Sequence, residues 1–567
     1  MIHQREQRID WERICIQPNV VLSVLTFVLI ASGCGFKSEQ ADLIVHNATV
    51  ITMDAQNTMA SAMAIKDGRV IAIGAEREVL NKYSALQTTD ARGGVIVPGL
   101  MDGHAHLVGF ADGLLEANLF ATESWEETVQ RVVEHDASRP NEWVVGRGWD
   151  QNDWELPRFP NSALLDLYFP EKPVVLERID GHALIVNRVA LERAGLWRTS
   201  IVSPEGGEIV KGEDGYPSGV LIDNACALIQ KHVPQRAVEE RFNALMEAQQ
   251  TLLAQGLTSI TDAGLAPSEI LRLDSLHTSG DLKLRINAMV SSADSSIEWL
   301  RSNGPIRKDR LTVQSVKFYM DGALGSRGAL LLEPYSDRPG WHGLGTQDAT
   351  WFRSQLEALV KDSLQAATHC IGDAAVKRAL RLYGDLLGGV NDLRWRIEHA
   401  QVVRREDVDL FSANTIIPSI QPTHATSDMY WAGERLGRNR VRRAYIYSTL
   451  QKQLGWLPLG TDFPVEGIAP LRTFYAAVVR KDIEGWPEEG YYPEEALTRE
   501  AALRGMTGWA ALACFRENDL GQVAPGFRAD FAVLDRNPLT VDEKDLLETQ
   551  VLQTWISGQR VHELGVN

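Results

Sequence analysis

Between residues 94 and 462 the chain returns eight times to a short apolar, strand-like run. The runs are GVIVPGL (94–100), LTSITD (257–262), RINAMV (285–290), VQSVKFY (313–319), LQAATHC (364–370), RWRIEHA (394–400), IIPSIQP (416–422) and WLPLGTD (456–462). Helical stretches intervene, such as AVEERFNALMEAQQTLLAQG (237–256) before the second run. Strand and helix alternating in this way predict an α/β chain built as a (β/α)8, TIM-like barrel. A plain barrel needs only about 250 residues, and this span is longer. The surplus falls after the first run, over residues 111–235. That stretch holds its own strand-like pieces, WVVGRGWD, PVVLERID, GEIV and SGVLID, with many Trp and Gly. It reads as a subdomain inserted near the barrel mouth.

Short strands also stand at both ends of the chain: DLIVHNATVITM and SAMAIKDGRVIAIGA early, RADFAVLDRNPL and VLQTWISGQRVHE late. In SAMAIKDGRVIAIGA, Lys66-Asp67-Gly68 has the chemistry of a hairpin turn. The expected division is therefore 42–93 with 509–567 as one composite β domain, and 94–508 as the barrel with its insertion. Residues 20–30, VVLSVLTFVLI, form an apolar segment too short to span a bilayer, which takes about 20 residues. They fit the core of an export signal. LIASGC resembles a bacterial lipoprotein signal ending at Cys34, although Ala31 stands where leucine is usual and the preceding segment is long and carries acids. Residues 1–34 are thus read as an export signal that leaves a lipid-anchored, exported protein. A simple cleaved signal and an uncleaved anchor are the alternatives.

Composition narrows the chemistry. The formal net charge is -18, which argues against non-specific nucleic-acid binding. Of five cysteines, two belong to the export segment and the other three are scattered without a CxxC, so neither a disulfide framework nor a thiolate zinc site is indicated.

The chemical signal lies at the strand ends. GHAH places His104 and His106 two residues apart, on one face of a strand. Two imidazoles on one side can share a divalent cation. Lys317 sits in the fourth run, His369 ends the fifth, His399 the sixth and Asp462 the eighth. Active sites of this fold lie at the C-terminal ends of the strands, so all of these side chains can converge on one mouth. By strand alternation Glu398 and Cys370 face away from their histidine neighbours. Glu398 is then expected to pair with a helix, and Cys370 to be a small buried hydrophobe.

PGLMDGHAH, the lysine, the two later histidines and GTDFP resemble the amidohydrolase superfamily of metal-dependent hydrolases. GRGWDQNDW, DGHALIVN, HCIGDAA, RIEHAQ, QPTHA and GTDFPVE resemble its amidohydrolase 3 branch, which includes N-substituted formamide deformylase. The resemblance implies a small β-sandwich made by both termini beside the barrel, and one or two divalent metal ions, most often zinc. Carried onto this sequence, His104, His106 and Asp462 would hold one ion, His369 and His399 a second, and Lys317 would bridge them as a carbamate. Such an ion brings bound water to a pKa of around 7. Asp462 would serve as the proton carrier and His182 would help stabilise the oxyanion. Asn187, Asp321, Gln421, His424 and Trp149 are the expected substrate-facing residues, with Trp143 and Trp154 extending an aromatic wall; a turn-capping role for Asp321, a subdomain-core role for Asn187 and plain core packing for the tryptophans stay open. The partner is a small amide-type substrate: an amide, an N-substituted formamide or a cyclic amide. A homodimer stays open, as do ester hydrolysis, deamination or isomerisation at the same site, and a catalytically inactive binding lipoprotein.

Overall fold

The computed structural model describes residues 39–565. The export segment and Cys34 lie outside the described residues. Among those described, no helix is long and apolar enough to cross a membrane.

Seven parallel strands form the barrel: β1 (Leu100–Ala105), β2 (Leu257–Leu265), β3 (Arg285–Ser291), β4 (Leu311–Tyr319), β5 (Gln365–Cys370), β6 (Arg396–His399) and β7 (Ile417–Ser419). Each pairs with the next in chain order. The eighth run closes the cylinder without becoming a regular strand. Gly460 donates from its backbone to Ile420 on one side (3.0 Å), while Gly103 donates to Leu459 on the other (2.9 Å). Pro458 has no N–H to give to a ladder. The helix Val238–Ala254 buries Ala244, Leu245, Ala248, Leu252 and Leu253 along one stripe before the chain enters β2.

The first run divides differently from the reading above. Val95–Pro98 does not belong to the barrel. It pairs antiparallel with Phe531–Leu534, and the barrel strand starts at Leu100. The break is at Gly99, where a Cβ would lie 2.3 Å from Thr258 Oγ1. Only glycine lets the chain pass from one sheet to the other so close to β2.

The two ends of the chain build the sandwich. One sheet holds Glu39–His46, Ala62–Lys66, Arg69–Gly74 and Tyr83–Asp90. The other joins Thr49–Ile51, Met59–Ala60 and Val95–Pro98 to Phe531–Leu534, Val551–Ile556 and Gln559–Glu563. Leu43, Val45, Ile65, Ile96, Phe531 and Trp555 fill the space between them. Residues 510–514 serve the barrel instead: Ala510, Ala511 and Cys514 pack on Met101. The insertion forms a six-stranded mixed sheet. The helix Trp125–Ser138 packs on one face and Arg188–Arg193 on the other.

Candidate functional site

The C-terminal ends of the barrel strands and the insertion enclose a cavity of about 610 Å³. His106, Lys317, His369, His399, His424 and Asp462 line it from the barrel, and Arg147 and His182 from the insertion.

His104 is fully buried on β1 and clamped from behind, since its Nδ1 lies 2.5 Å from Glu398 Oε2. That leaves Nε2 facing Asp462 Oδ1 at 3.5 Å and Lys317 Nζ at 3.0 Å. His106 is held through Nδ1 by the carbonyl of Ala263 (3.1 Å), which leaves its Nε2 3.1 Å from the same Asp462 oxygen. His399 Nδ1 contacts Gln421 Oε1 at 2.8 Å. His424 bridges two acids, with Nε2 3.2 Å from Asp462 Oδ2 and Nδ1 3.0 Å from Glu466 Oε1. Each imidazole thus has one nitrogen committed to a neighbour. That is how proteins fix the tautomer and direction of a metal-binding ring.

The electrostatics agree with ligation at His104 and His399 but not at His424, whose bonds to Asp462 and Glu466 outweigh burial and raise its pKa well above the ordinary histidine range. Burial pushes His104 down to about 4, helped by the nearby Lys317. It also drives His369 and His399 well below the ordinary histidine range. Neutral imidazoles are the ligating form. Burial brings Lys317 down to about 8 against the pull of Glu398 and Asp462. For Asp462 burial acts the other way, but the facing ring nitrogens of His106 and His424 outweigh it and hold the carboxyl well below its usual range. For His182 burial lowers the ring's pKa, but the bond to Asp223 and the charges of Asp223, Asp180 and Asp321 together outweigh it and raise it.

Two sets of ligand atoms lie within 4.8 Å of one another: His104, His106 and Asp462; and His399, His424 and Asp462. Asp462 Oδ1 is buried and has no hydrogen-bond partner. A buried carboxylate oxygen is costly to leave unpaired, and a cation between the two histidines would satisfy it. The residues therefore fit a divalent ion. The second set differs from the one implied by resemblance. His369 packs 4.5 Å from His399, ring to ring, but its Nε2 turns toward the Gly322 carbonyl (3.4 Å), and it stands outside both sets. His424, expected to meet substrate, stands in the second set beside His399 and Asp462.

Other expectations need correction. Asn187 does not face substrate: it is buried, caps the helix Arg188–Arg193 through Ala190 N, and accepts from Val174 N. Trp149 is not a pocket wall. Its ring lies in the insertion core beside Trp154, its Nε1 donating to Leu176 O, while Trp143 belongs to the opposite face of that sheet. Asp321 accepts from the backbone of Leu330, Ile371 and Gly372 and organises the loops after β4 and β5 rather than facing the cavity. Gln421 acts on His399 rather than on a ligand. Glu398 points into the barrel and not toward a helix. His399 has φ 70 and so leaves the strand alternation, which lets both side chains face inward. Cys370 is buried as expected. Sequence reasoning missed Asp102, Arg147, Asp223 and Glu466. Asp102 accepts from Thr461 Oγ1 (2.7 Å) and ties β1 to the closing segment. Arg147 pairs with Glu177 at the cavity, its Nε buried without a partner. Glu466 lies within the quoted GTDFPVE, four residues after Asp462, and that spacing was the available signal.

The model of the Amidohydrolase family matches residues 87–562. The chain belongs to the amidohydrolase family. Its relatives include a Bacillus subtilis protein named for amidohydrolases, YtcJ, 30% identical across 92% of this chain and 99% of that one. N-substituted formamide deformylase of Arthrobacter pascens is 25% identical across 92% and 98%. An uncharacterized metal-dependent hydrolase of Pyrococcus horikoshii superposes with a TM-score of 0.72 at 28% identity, over 88% of this chain and 99% of its own. The amidohydrolase described here is thus a metal-dependent hydrolase with the barrel and sandwich of its relatives.

Proposed function

We propose that this amidohydrolase cleaves a non-peptide C–N bond in a small amide, N-substituted formamide or cyclic amide. The observation that carries the reading is Asp462: a buried carboxylate with one oxygen facing two histidine nitrogens and the other held by His424. The relative named N-substituted formamide deformylase supports the bond class. His104, His106 and Asp462 would hold a divalent ion, with His399 and His424 available for a second; zinc suits such a mixed imidazole–carboxylate set. When bound, the ion supplies Lewis-acid polarisation of the carbonyl and acidifies a water molecule.

Asp462 takes the proton from the attacking water and returns it to the leaving nitrogen, which must be protonated to depart as an amine. His182, at the cavity wall, hydrogen-bonds the carbonyl oxygen as charge gathers there. Lys317, its pKa brought down to about 8 by burial, would take up carbon dioxide as a carbamate. The same proposal sets the enzyme in the cell envelope, on the strength of residues 20–34.

The test is a screen of metal-loaded protein with bicarbonate against N-formyl amines, N-acyl amines, cyclic amides and esters. Amide turnover that Asp462→Asn abolishes, with most of the metal retained, supports the reading. Turnover confined to esters, or a variant as fast as the wild type, overturns it. A protein that takes up no zinc, iron or manganese after reconstitution would instead be a binding protein.

A further inference from the structure

We propose that the inserted subdomain completes the active site, with Asp223 as the positioning residue that aims His182 at the reacting carbonyl. The inference rests on the C–N hydrolase reading for the identity of the reaction, and on geometry of its own for the dyad. The strands Ala183–Val186 and Pro217–Asp223 pair antiparallel, with Ala183 opposite Ile222. The next residues outward, His182 and Asp223, therefore meet at the end of that ladder. Two bonds join them. Asp223 N donates to His182 O at 2.9 Å, and His182 Nδ1 lies 2.7 Å from Asp223 Oδ1. With Nδ1 spent on the carboxylate, Nε2 is the ring nitrogen left for the cavity that His182 lines. The ring stands 4.9 Å from that of His369, inside the mouth.

The barrel is shaped to receive this carboxylate. Asp223 is seated against Gly322 and Gly328 of the MDGALGSRG loop that follows β4. A Cβ at either glycine would come within 2.4 Å of its oxygens. The second oxygen, Oδ2, is buried without a partner. A neutral amide would fill the same space and accept the same bond without burying a charge. A charged group kept there is one whose charge is used, and the group it touches is His182. The insertion is thus more than a wall that selects substrates. It delivers an Asp–His pair into a site whose other groups come from the barrel.

The experiment compares Asp223→Asn, His182→Ala and the double variant on an N-acyl or N-formyl amine that the wild type hydrolyses. His182→Ala should lower kcat by about 10²-fold, the loss typical of one removed oxyanion donor. Asp223→Asn should lose about 10-fold or more in kcat with KM within about threefold, and the double variant should be no slower than His182→Ala alone. Metal content and unfolding midpoint are measured on each. Gly322→Ala, which crowds the carboxylate off its seat, should reproduce the Asp223→Asn loss. Losses that multiply in the double variant, or an unchanged kcat in Asp223→Asn, overturn the proposal. One readout needs no substrate. With 15N-labelled histidine, the Nδ1 resonance of His182 should show a protonated nitrogen that shifts in Asp223→Asn. A resonance that does not move overturns the positioning role whatever the substrate. A shift without any amide turnover in the wild type would remove the C–N reading and leave the dyad.

Discussion

Glu398 is fully buried. It lies inside the barrel between Arg396, whose Nε donates to Oε1 at 2.6 Å, and His104. Burial alone would raise its pKa, but the charge of Arg396 and the hydrogen bond from His104 outweigh that and keep it ionised. A fixed carboxylate on Nδ1 determines which nitrogen of His104 is free and makes it a better electron donor. Glu398→Gln keeps the shape and removes the charge. Partners of this kind are typically worth 10–100-fold in metal affinity, so the variant should bind zinc about 10-fold or more weakly. Competition of the stripped protein with a chromogenic chelator measures this. An affinity equal to the wild type would mean that His104 is oriented by packing alone.

At the scale of elements, the closing segment decides whether the site exists. Gly460 lies against β1 so closely that a Cβ would sit 2.5 Å from His104 N and 2.7 Å from His104 O. Backbone atoms cannot yield as a side chain can. Gly460→Ala must lift the segment from β1 and carry Asp462 away from His104 and His106. Stability should fall by about 1–3 kcal/mol, the usual scale for forced overpacking, and metal content should fall with it. Urea unfolding and metal analysis of one preparation check both, and full metal loading at an unchanged midpoint would show that the barrel closes in another way. The same segment shows what could be read from sequence. Eight apolar runs were visible because burial on a strand leaves an apolar stretch wherever the strand goes. Periodicity does not say which sheet receives it, so Val95–Pro98 passed for the barrel although it serves the sandwich. The strand-end residues His104, Lys317 and Asp462 were legible because parallel strands deliver their ends to one rim. Glu398 was not, because the positive φ at His399 breaks the alternation on which the reading depended. Asn187 was misassigned for a different reason: a buried cap and a substrate ligand use the same polar side chain, and only the backbone around it tells them apart. Asp223 has no local signal, since its partner His182 lies 41 residues before it and the two glycines that seat it about a hundred residues after it.

Over the whole molecule, catalysis and cohesion occupy opposite ends of the barrel. At the N-terminal end of β3, Arg285 is buried with its Nε 2.5 Å from Asp530 Oδ2 and its Nη2 3.0 Å from Asp530 Oδ1 and 2.8 Å from Ser557 Oγ. Asp530 in turn accepts from Ser557 N at 2.8 Å, and its carbonyl accepts from Gly99 N, at the point where the chain crosses from sandwich to barrel. One ion pair therefore ties β3 to the C-terminal strands and to the start of β1. Removing one member of such a pair typically costs about 3–5 kcal/mol, and here it would leave Arg285 paired only with the half-exposed Asp309 (3.3 Å), whereas replacing both by apolar groups is often nearly neutral. Asp530→Ala should lower the urea midpoint strongly. Arg285→Met combined with Asp530→Leu should recover much of the loss. Both variants, assayed well below their midpoints, should keep wild-type metal content and turnover per folded molecule, since in this architecture the base carries stability and the rim carries chemistry. A double variant as unstable as Asp530→Ala would mean that the pair specifies how the two domains meet rather than merely neutralising a charge. A fall in turnover without a fall in stability would mean that the sandwich reaches the active site through the barrel.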